Sequence, residues 1–430
     1  MTVSFHTLGC KLNFAETATI GRLFADNGYA RVPFGEPADV VVVNSCTVTA
    51  QADKKCRQAI RKAVKTSPDA LVVVVGCFAE LQAGEIARIP GVSMVLGNRD
   101  KFNIMEHIRR LRGEDVRTYG CDAVREFFAS SSLFDRTRSF LKVQDGCDYQ
   151  CTYCTIPKAR GNSRNAPVAD IVAQARFIAA QGVREIVLTG VNIGDFGRST
   201  GESFCRLLAE LDAVDGLERI RTGSVEPNLV TEEMIRLMAR SDKLAPHFHI
   251  PLQSGCNRIL RLMARRYRRE LFAEKVALIR QYIPHAAIGA DVIAGFPGET
   301  DDDFNDTLSF IEGLDLSYLH VFTYSERPET KAAAMTGKVN GSIAAQRSKT
   351  LIGLSDRKRK QFHAGHVGQT ASVLFERRER GGSMSGFTGN YIRTEAPYDA
   401  GCIGKCTAVR ITGVNDEGQL TAETIKDAHF

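Results

Sequence analysis

Apolar runs of strand length recur along the opening stretch of the chain, and each leads into a cysteine. VSFHTLG precedes Cys10, DVVVVNS precedes Cys46 and LVVVVG precedes Cys77. The two valine runs lack alternation, as in parallel strands buried on both faces. Between the runs, ETATIGRLFADNGY and QADKKCRQAIRKAV have helical spacing. This βαβ rhythm predicts a small parallel α/β sheet. In such open sheets, sites gather at the carboxyl ends of strands. Cys10, Cys46 and Cys77 all fall at such ends and are expected to converge, although 36 and 31 residues separate them. Cysteine is also a common packing residue. Three at equivalent strand ends weigh against that reading, whereas Cys56, inside a predicted helix, is expected to be structural.

A second alternation runs from about 137 to 360. Its candidate strands are SFLKVQDG, EIVLTGVNI, RIRTGSVE, HFHIPLQ, AAIGADVIAGF and SYLHVFTYS, with helical stretches such as VADIVAQARFIAAQG and ETDDDFNDTLSFIEGL between them. Six strand–helix units predict a partial (β/α) barrel whose functional residues lie at the carboxyl ends of its strands. The basic run SDRKRK at 355–360 reads as a linker or helix end. Beyond it, short strands with Gly-rich turns predict a small β-barrel of about 65 residues. The expected fold class is therefore α/β in three domains: a parallel α/β domain over 1–125, a partial (β/α)6 barrel over 133–363, and a small β-barrel over 366–430.

Composition narrows the class. The chain has 430 residues, 43% hydrophobic and 25% charged, which suits globular domains with real cores. No run of 18 apolar residues occurs, so no membrane span is expected, and MTVSFHTLGCKLN lacks the form of a secretory signal. Twelve cysteines without such a signal point to reduced thiols in the cytoplasm. A net charge of +6 is compatible with a polyanionic partner without requiring one.

The densest chemistry is CDYQCTYC, with Cys147, Cys151 and Cys154 spaced C-x3-C-x2-C at the end of the first barrel strand. Zinc sites usually show paired C-x2-C knuckles or His partners. A cubane iron–sulfur cluster takes four cysteines, and three leave one iron open. In this respect the chain resembles the radical S-adenosylmethionine (SAM) superfamily. The resemblance implies a [4Fe–4S] cluster on Cys147, Cys151 and Cys154, with SAM on its open iron. It implies Tyr153 over the adenine, and the GVNIGDFG element, with Gly190 and Asn192, around the amino and carboxylate groups of SAM. Glu226 of SVEP is a candidate for a ribose hydroxyl and Gln253 of PLQSG for another polar SAM contact. Each of these stretches can also be a turn, and Tyr153 can be simple packing. Arg160 and Arg164, in KARGNSR, are candidates to face the SAM carboxylate or an anionic substrate; the alternative is solvated charge.

The order of the parts is more specific. TLGCKLNFAET at 7–17, NSCTVT at 44–49, the Gly-Cys pair at 76–77, VQDGCDYQCTYCTIPKARG at 143–161 and YLHVFTYSERPETKAA at 318–333 resemble the radical SAM methylthiotransferase family. Within it, the resemblance is closest to the branch acting on N6-threonylcarbamoyladenosine at tRNA position 37. It implies a second, auxiliary [4Fe–4S] cluster on Cys10, Cys46 and Cys77 that carries the sulfur, with SAM as both methyl donor and radical source. It implies the tRNA anticodon stem-loop as partner, a reductant such as flavodoxin or ferredoxin, and an unidentified sulfur donor. The C-terminal barrel resembles a TRAM RNA-binding module, in which Phe387 and Tyr391 either stack on bases or pack in the core. Arg377, Arg378 and Arg380 there, and Arg258, Arg261, Arg265, Arg266, Arg268 and Arg269 in the central domain, are candidates for phosphate contact. Cys402 and Cys406, as strand residues four apart, would share a face and pack; Cys121, Cys205 and Cys256 also read as packing. Two alternatives stay open: a sibling substrate, either isopentenyladenosine in tRNA or a ribosomal-protein aspartate, and a non-catalytic iron–sulfur RNA-binding protein.

Overall fold

The computed structural model describes residues 1–111, 117–120, 126–133 and 137–425; the side chains of residues 117 and 377–380 are also outside it. Cys121 and the Arg377, Arg378 and Arg380 side chains thus lie outside the described residues.

The N-terminal domain is a six-stranded, all-parallel sheet in the order β2-β1-β3-β4-β5-β6. The strands are β1 (Thr2–Thr7), β2 (Ala30–Val32), β3 (Val40–Ser45), β4 (Leu71–Gly76), β5 (Val92–Leu96) and β6 (Arg117–Tyr119). The helices are α1 (Lys11–Asp26), α2 (Ala50–Thr66), α3 (Cys77–Leu81), α4 (Ala83–Ala87) and α5 (Ile104–Arg110). β3 and β4 are the two valine runs, and they sit at the centre. Val41, Val43, Val72 and Val74 pack on one face; Val40, Val42, Val73 and Val75 pack on the other. Burial on both faces is why these runs do not alternate.

The central domain carries β7 (Ser139–Lys142), α6 (Ile156–Arg160), α7 (Val168–Ala180), β8 (Glu185–Thr189), α8 (Phe204–Asp212), β9 (Arg219–Arg221) and α9 (Glu232–Arg240). It continues through β10 (His247–His249), α10 (Asn257–Leu262), α11 (Arg269–Tyr282), β11 (Ala287–Ala294), α12 (Asp301–Glu312), β12 (Tyr318–Thr323) and α13 (Gly341–Ala364). The six strands form two parallel triplets, β7-β8-β9 and β10-β11-β12. Lone bridges from Ile220 to Leu244 and from Ser224 to His249 join the triplets into one partial barrel. Of the two readings of the SDRKRK run, linker or helix end, the second holds: it lies in the C-terminal part of α13, whose apolar residues Leu351 and Leu354 are buried against the barrel.

The C-terminal strands β13 (Thr370–Arg380), β14 (Ser383–Thr388), β15 (Arg393–Pro397), β16 (Cys406–Val414) and β17 (Leu420–Thr424) close into a barrel in the order β13-β14-β15-β17-β16. Cys402 and Cys406 do not share a strand: Cys402 lies in a 3-10 turn and Cys406 opens β16. Both are free thiols.

Both flanking domains dock on the central one. Phe14 and Ala15 of α1 pack on Phe140 of β7 and Val187 of β8. Beside the first residues of β8 and β9, Arg219 donates to the carbonyls of Phe387 and Ser372 (both 3.0 Å), and Arg221 to those of Gly389 (2.8 Å) and Thr388 (3.1 Å). Glu185, fully buried, pairs with both guanidiniums at 3.1 Å. Among the described residues no helix is long and apolar enough to cross a membrane.

Candidate functional site

Adjacency in the sheet brings the first three cysteines together. β1, β3 and β4 are neighbours; Cys10 caps α1 just beyond β1, Cys46 follows β3, and Cys77 opens α3 directly after β4. The approach is close enough to require glycine. Gly9 has φ +108°, and a Cβ there would lie 2.8 Å from the Cβ of Cys46. Asn13 fastens the loops, its amide donating to the carbonyls of Leu8 (2.7 Å) and Ser45 (3.2 Å).

The second triad occupies the loop after β7. The Tyr149 N–H points at Cys147 Sγ (3.4 Å), the Ile156 N–H at Cys154 Sγ (3.5 Å), and Arg265 Nη1 donates to Cys151 Sγ (3.0 Å). Burial pushes the Cys147 thiol up to about 11 and the Cys46 and Cys154 thiols up to about 12.

Arg160 links the two regions and departs from its expected role. Its Nε donates to Cys77 Sγ at 3.2 Å. Nη1 reaches Glu16 and Asp145, both at 3.0 Å, and Nη2 reaches Asn13 (2.8 Å) and Glu16 (3.1 Å). All five N–H donors of the guanidinium are thus engaged within the protein, leaving none for a SAM carboxylate. Arg164 is likewise turned inward, onto Asp145 (2.9 Å) and the carbonyls of Glu126, Arg160 and Asn162. Lys101 pairs with Glu16 (2.6 Å), and Lys142 with Glu16 (3.2 Å) and Asp145 (2.7 Å). Burial pushes Lys101 down to about 8. Burial alone would push the Glu16 carboxyl up, but Arg160, Lys101 and Lys142 hold it well below the usual range. Among the described residues, four cations, Lys101, Lys142, Arg160 and Arg164, face two carboxylates, Glu16 and Asp145, leaving two positive charges in excess. A buried surplus of that sign calls for a counter-charge. The thiolates of an iron–sulfur cluster on Cys77 and its partners would supply it, so the donor set and its surroundings fit such a group. Asn13, Glu16, Lys101 and Asp145 carry no local motif that marks them as a charge hub.

Of the other residues expected to contact SAM, Tyr153 and Glu226 share Arg265 with Cys151. Asn192 is buried, with no hydrogen-bond partner for its amide N or O, and Asn228 Oδ1 and Asp195 Oδ2 are also unpartnered. Buried polar atoms left unmade are costly, and a polar ligand such as SAM fits beside them. Gly190 is needed for packing: a Cβ would lie 2.8 Å from the Gln144 carbonyl. The Gln144 side chain accepts the N–H groups of Val191 (3.0 Å) and Asn192 (2.9 Å). Glu226 forms an ion pair with Arg265, the same guanidinium that touches Cys151. Gln253 takes φ +66°, and its N–H donates to the Asp291 carbonyl at 2.7 Å. Tyr153 packs edge-on to Phe296, ring centroids 6.2 Å apart, and receives a hydrogen bond from Arg265 at 3.4 Å.

The arginine run therefore divides. Arg265 reaches Cys151 of the second triad, while Arg258 pairs with Asp303 and Arg269 with Asp306. Arg261, Arg266 and Arg268 are exposed. Phe387 and Tyr391 stack on each other (4.9 Å) against the central domain, under the guanidiniums of Arg138 (4.6 Å) and Arg221 (4.5 Å).

The chain is similar to known proteins. The model of the radical SAM superfamily matches residues 141–311, and that of uncharacterized protein family UPF0004 matches residues 2–97. The chain is 40% identical to threonylcarbamoyladenosine tRNA methylthiotransferase MtaB of Bacillus subtilis, over 97% of this chain and 96% of that protein. It is 34% identical to a tRNA-2-methylthio-N(6)-dimethylallyladenosine synthase of Geobacter metallireducens, over 94% of each. The chain belongs to the radical SAM methylthiotransferase family. As a member of that family it is an enzyme that uses SAM and a [4Fe–4S] cluster. Among solved structures, the radical SAM methyltransferase TsrM of Kitasatospora setae superposes with a TM-score of 0.57, over 77% of each chain at 17% identity, a likeness of fold.

Proposed function

We propose that this methylthiotransferase acts on C2 of N6-threonylcarbamoyladenosine at tRNA position 37, giving the 2-methylthio derivative. The observation that carries this reading is Arg160. It ends the helix that follows Cys147, Cys151 and Cys154, and it donates to Cys77 of the other triad. Two cysteine triads fixed to one buried hub can address one substrate, as a reaction between two oriented centres requires. The 40% identity to the MtaB protein favours the threonylcarbamoyl substrate.

Cys147, Cys151 and Cys154 would hold the SAM-binding cluster and Cys10, Cys46 and Cys77 an auxiliary one. When bound, these groups supply a radical able to take hydrogen from an unactivated aromatic carbon, and the methylated sulfur that replaces it. The protein's share is orientation and exclusion of water. Asn192, Asp195 and Asn228 present unpartnered polar atoms to SAM, and Glu226, steered by Arg265, offers a carboxylate beside Cys151. Arg160, Glu16 and Lys101 set the distance between the triads. Exposed Arg261, Arg266 and Arg268 on the central domain take tRNA phosphates. A flavodoxin- or ferredoxin-type reductant in the cytoplasm supplies the electron.

Anaerobic incubation of the reconstituted enzyme with SAM, reductant and tRNA tests this. On tRNA bearing N6-threonylcarbamoyladenosine, nucleoside mass spectrometry is expected to show the methylthio product. A product only on tRNA bearing dimethylallyladenosine would contradict the assignment.

A further inference from the structure

The inner wall of the partial barrel holds three side chains that the reading above leaves without a role. Strand pairing sets Asp291 of β11 opposite His320 of β12, and His249 of β10 opposite Gly289, two residues before Asp291. The alternate residues Ile288, Ala290 and Val292 fill the apolar core, so His249, Asp291 and His320 share the inward face. Asp291 also lies near enough to Glu226 for its charge to add to the burial that pushes that carboxyl up. The cluster therefore opens on the same mouth as Cys151 and Arg265.

Their donor atoms close a triangle. His249 Nε2 is 3.1 Å from Asp291 Oδ1, His320 Nδ1 is 3.4 Å from the same oxygen, and the two nitrogens are 3.1 Å apart. Hydrogen bonds do not account for all three edges. A neutral imidazole nitrogen either donates or accepts. If both nitrogens donate to the ionised carboxylate, they face each other as two donors. If one accepts from the other, its lone pair faces the carboxylate oxygen. A cation between the three atoms satisfies every edge. With bonds of about 2.1 Å, donors on one metal are roughly 3.0 Å apart at right-angled coordination and roughly 3.4 Å apart at tetrahedral coordination, and the observed edges span that range.

The surroundings agree independently. Ser224 Oγ lies 2.7 Å from His249 Nδ1. A proton on Nδ1 donated to that hydroxyl leaves Nε2 free as a ligand, the arrangement that orients metal-bound histidines. His320 is 55% exposed, so the site is open on one side. Beneath it, Tyr318 donates to or accepts from His247 Nε2 at 2.8 Å, and Tyr391 lies against His247 with ring centroids 4.9 Å apart. This aromatic floor leaves the mouth side as the way in.

We propose that His249, Asp291 and His320 bind one divalent transition-metal ion on the inner wall of the barrel, with open positions for an anionic oxygen ligand. Two histidines and a carboxylate with open positions suit such metals. The ligand assignment, unlike the metal site itself, rests on the proposed function. The threonyl carboxylate of the substrate is the group that takes the open positions, and dimethylallyladenosine has no such group. The ion orients the base and undergoes no change of oxidation state.

Manganese(II) titration of the cluster-loaded, oxidised enzyme tests the site, since oxidised [4Fe–4S] centres are silent in electron paramagnetic resonance and free manganese gives a six-line signal. One manganese ion is expected to bind per chain, to be displaced by zinc, which binds such donors more tightly, and to bind at least tenfold more weakly in Asp291→Asn and His320→Ala. Unchanged iron content and visible absorbance show that the variants are folded. Absence of saturable binding, or equal binding in wild type and both variants, overturns the metal site. Added N6-threonylcarbamoyladenosine nucleoside is expected to perturb the bound-manganese spectrum, and dimethylallyladenosine to leave it unchanged. Bound manganese that responds to neither nucleoside overturns the carboxylate ligand. Neither result depends on turnover, so a failure here is distinct from a failure of the tRNA assay.

Discussion

A single guanidinium has two tasks in this molecule. Arg160 holds Glu16 and Asp145 in the buried hub, and its Nε–H lies 3.2 Å from Cys77 Sγ. Arg265 does the same for Cys151 at 3.0 Å. Hydrogen bonds to cluster sulfurs and nearby positive charge stabilise the more negative, reduced state and raise its potential. Replacing Arg160 by Gln in a Cys147→Ala, Cys151→Ala, Cys154→Ala background leaves only the proposed cluster on Cys10, Cys46 and Cys77. There, a loss of about 1.4 kcal/mol of differential stabilisation lowers a one-electron potential by about 59 mV. A redox titration followed by electron paramagnetic resonance is expected to show a fall of that order, partly restored by Arg160→Lys. Lower cluster content with an unshifted potential would mean that Arg160 only props up the fold.

At the scale of elements, the site depends on strands ending in register. The valine runs, the six barrel strands and the cysteines at strand ends were legible because each is a local pattern. β2, β5 and β6 were not, because the first and last span three residues each and none leads into a motif. Arg160 was misread for a different reason. Its neighbours in sequence place it at the barrel mouth, but its partners Glu16 and Cys77 lie 144 and 83 residues away. The charge of the SDRKRK run does not by itself separate a linker from a helix end; the apolar face of α13 becomes evident only once the barrel it covers is in place. Burial also gives the strand ends a pH signature. The thiol of Cys46 rises from 9.0 to about 12, and that of Cys147 to about 11. Between pH 9 and the folded values the unfolded chain has released these protons and the folded chain has not. The thiols' contribution to the stability of the cluster-free protein therefore falls as pH rises through that window, by about 1.4 kcal/mol per thiol per pH unit. Lys101, pushed down to about 8 by burial, contributes the opposite trend in both forms, so between pH 8 and pH 10 thermal melts are expected to show the cluster-free protein losing stability relative to the cluster-loaded protein, whose thiolates are already formed. Equal losses in both forms would argue against it.

The parallel sheet, the partial barrel and the closed C-terminal barrel are held together by buried charge as well as by apolar contact. Glu185, Arg219 and Arg221 tie the C-terminal barrel to the first residues of β8 and β9 through four backbone carbonyls. Breaking such a pair from one side leaves an uncompensated buried charge, at a cost of about 3–5 kcal/mol. Arg221→Ala is expected to lose that much in chemical denaturation; a change below about 1 kcal/mol would show that the docking does not depend on it. At the other interface, α1 and the Glu16–Arg160 hub join the Cys10, Cys46 and Cys77 triad to the Cys147, Cys151 and Cys154 triad. The central claim is that the triads have separate tasks and serve one product. It is tested most directly by mass spectrometry of both 5′-deoxyadenosine and methylthiolated nucleoside from anaerobic reactions of two triple variants. The Cys10, Cys46 and Cys77 alanine variant is expected to cleave SAM and form no methylthio product, and the Cys147, Cys151 and Cys154 variant to do neither. Methylthiolated nucleoside from either variant would contradict the account.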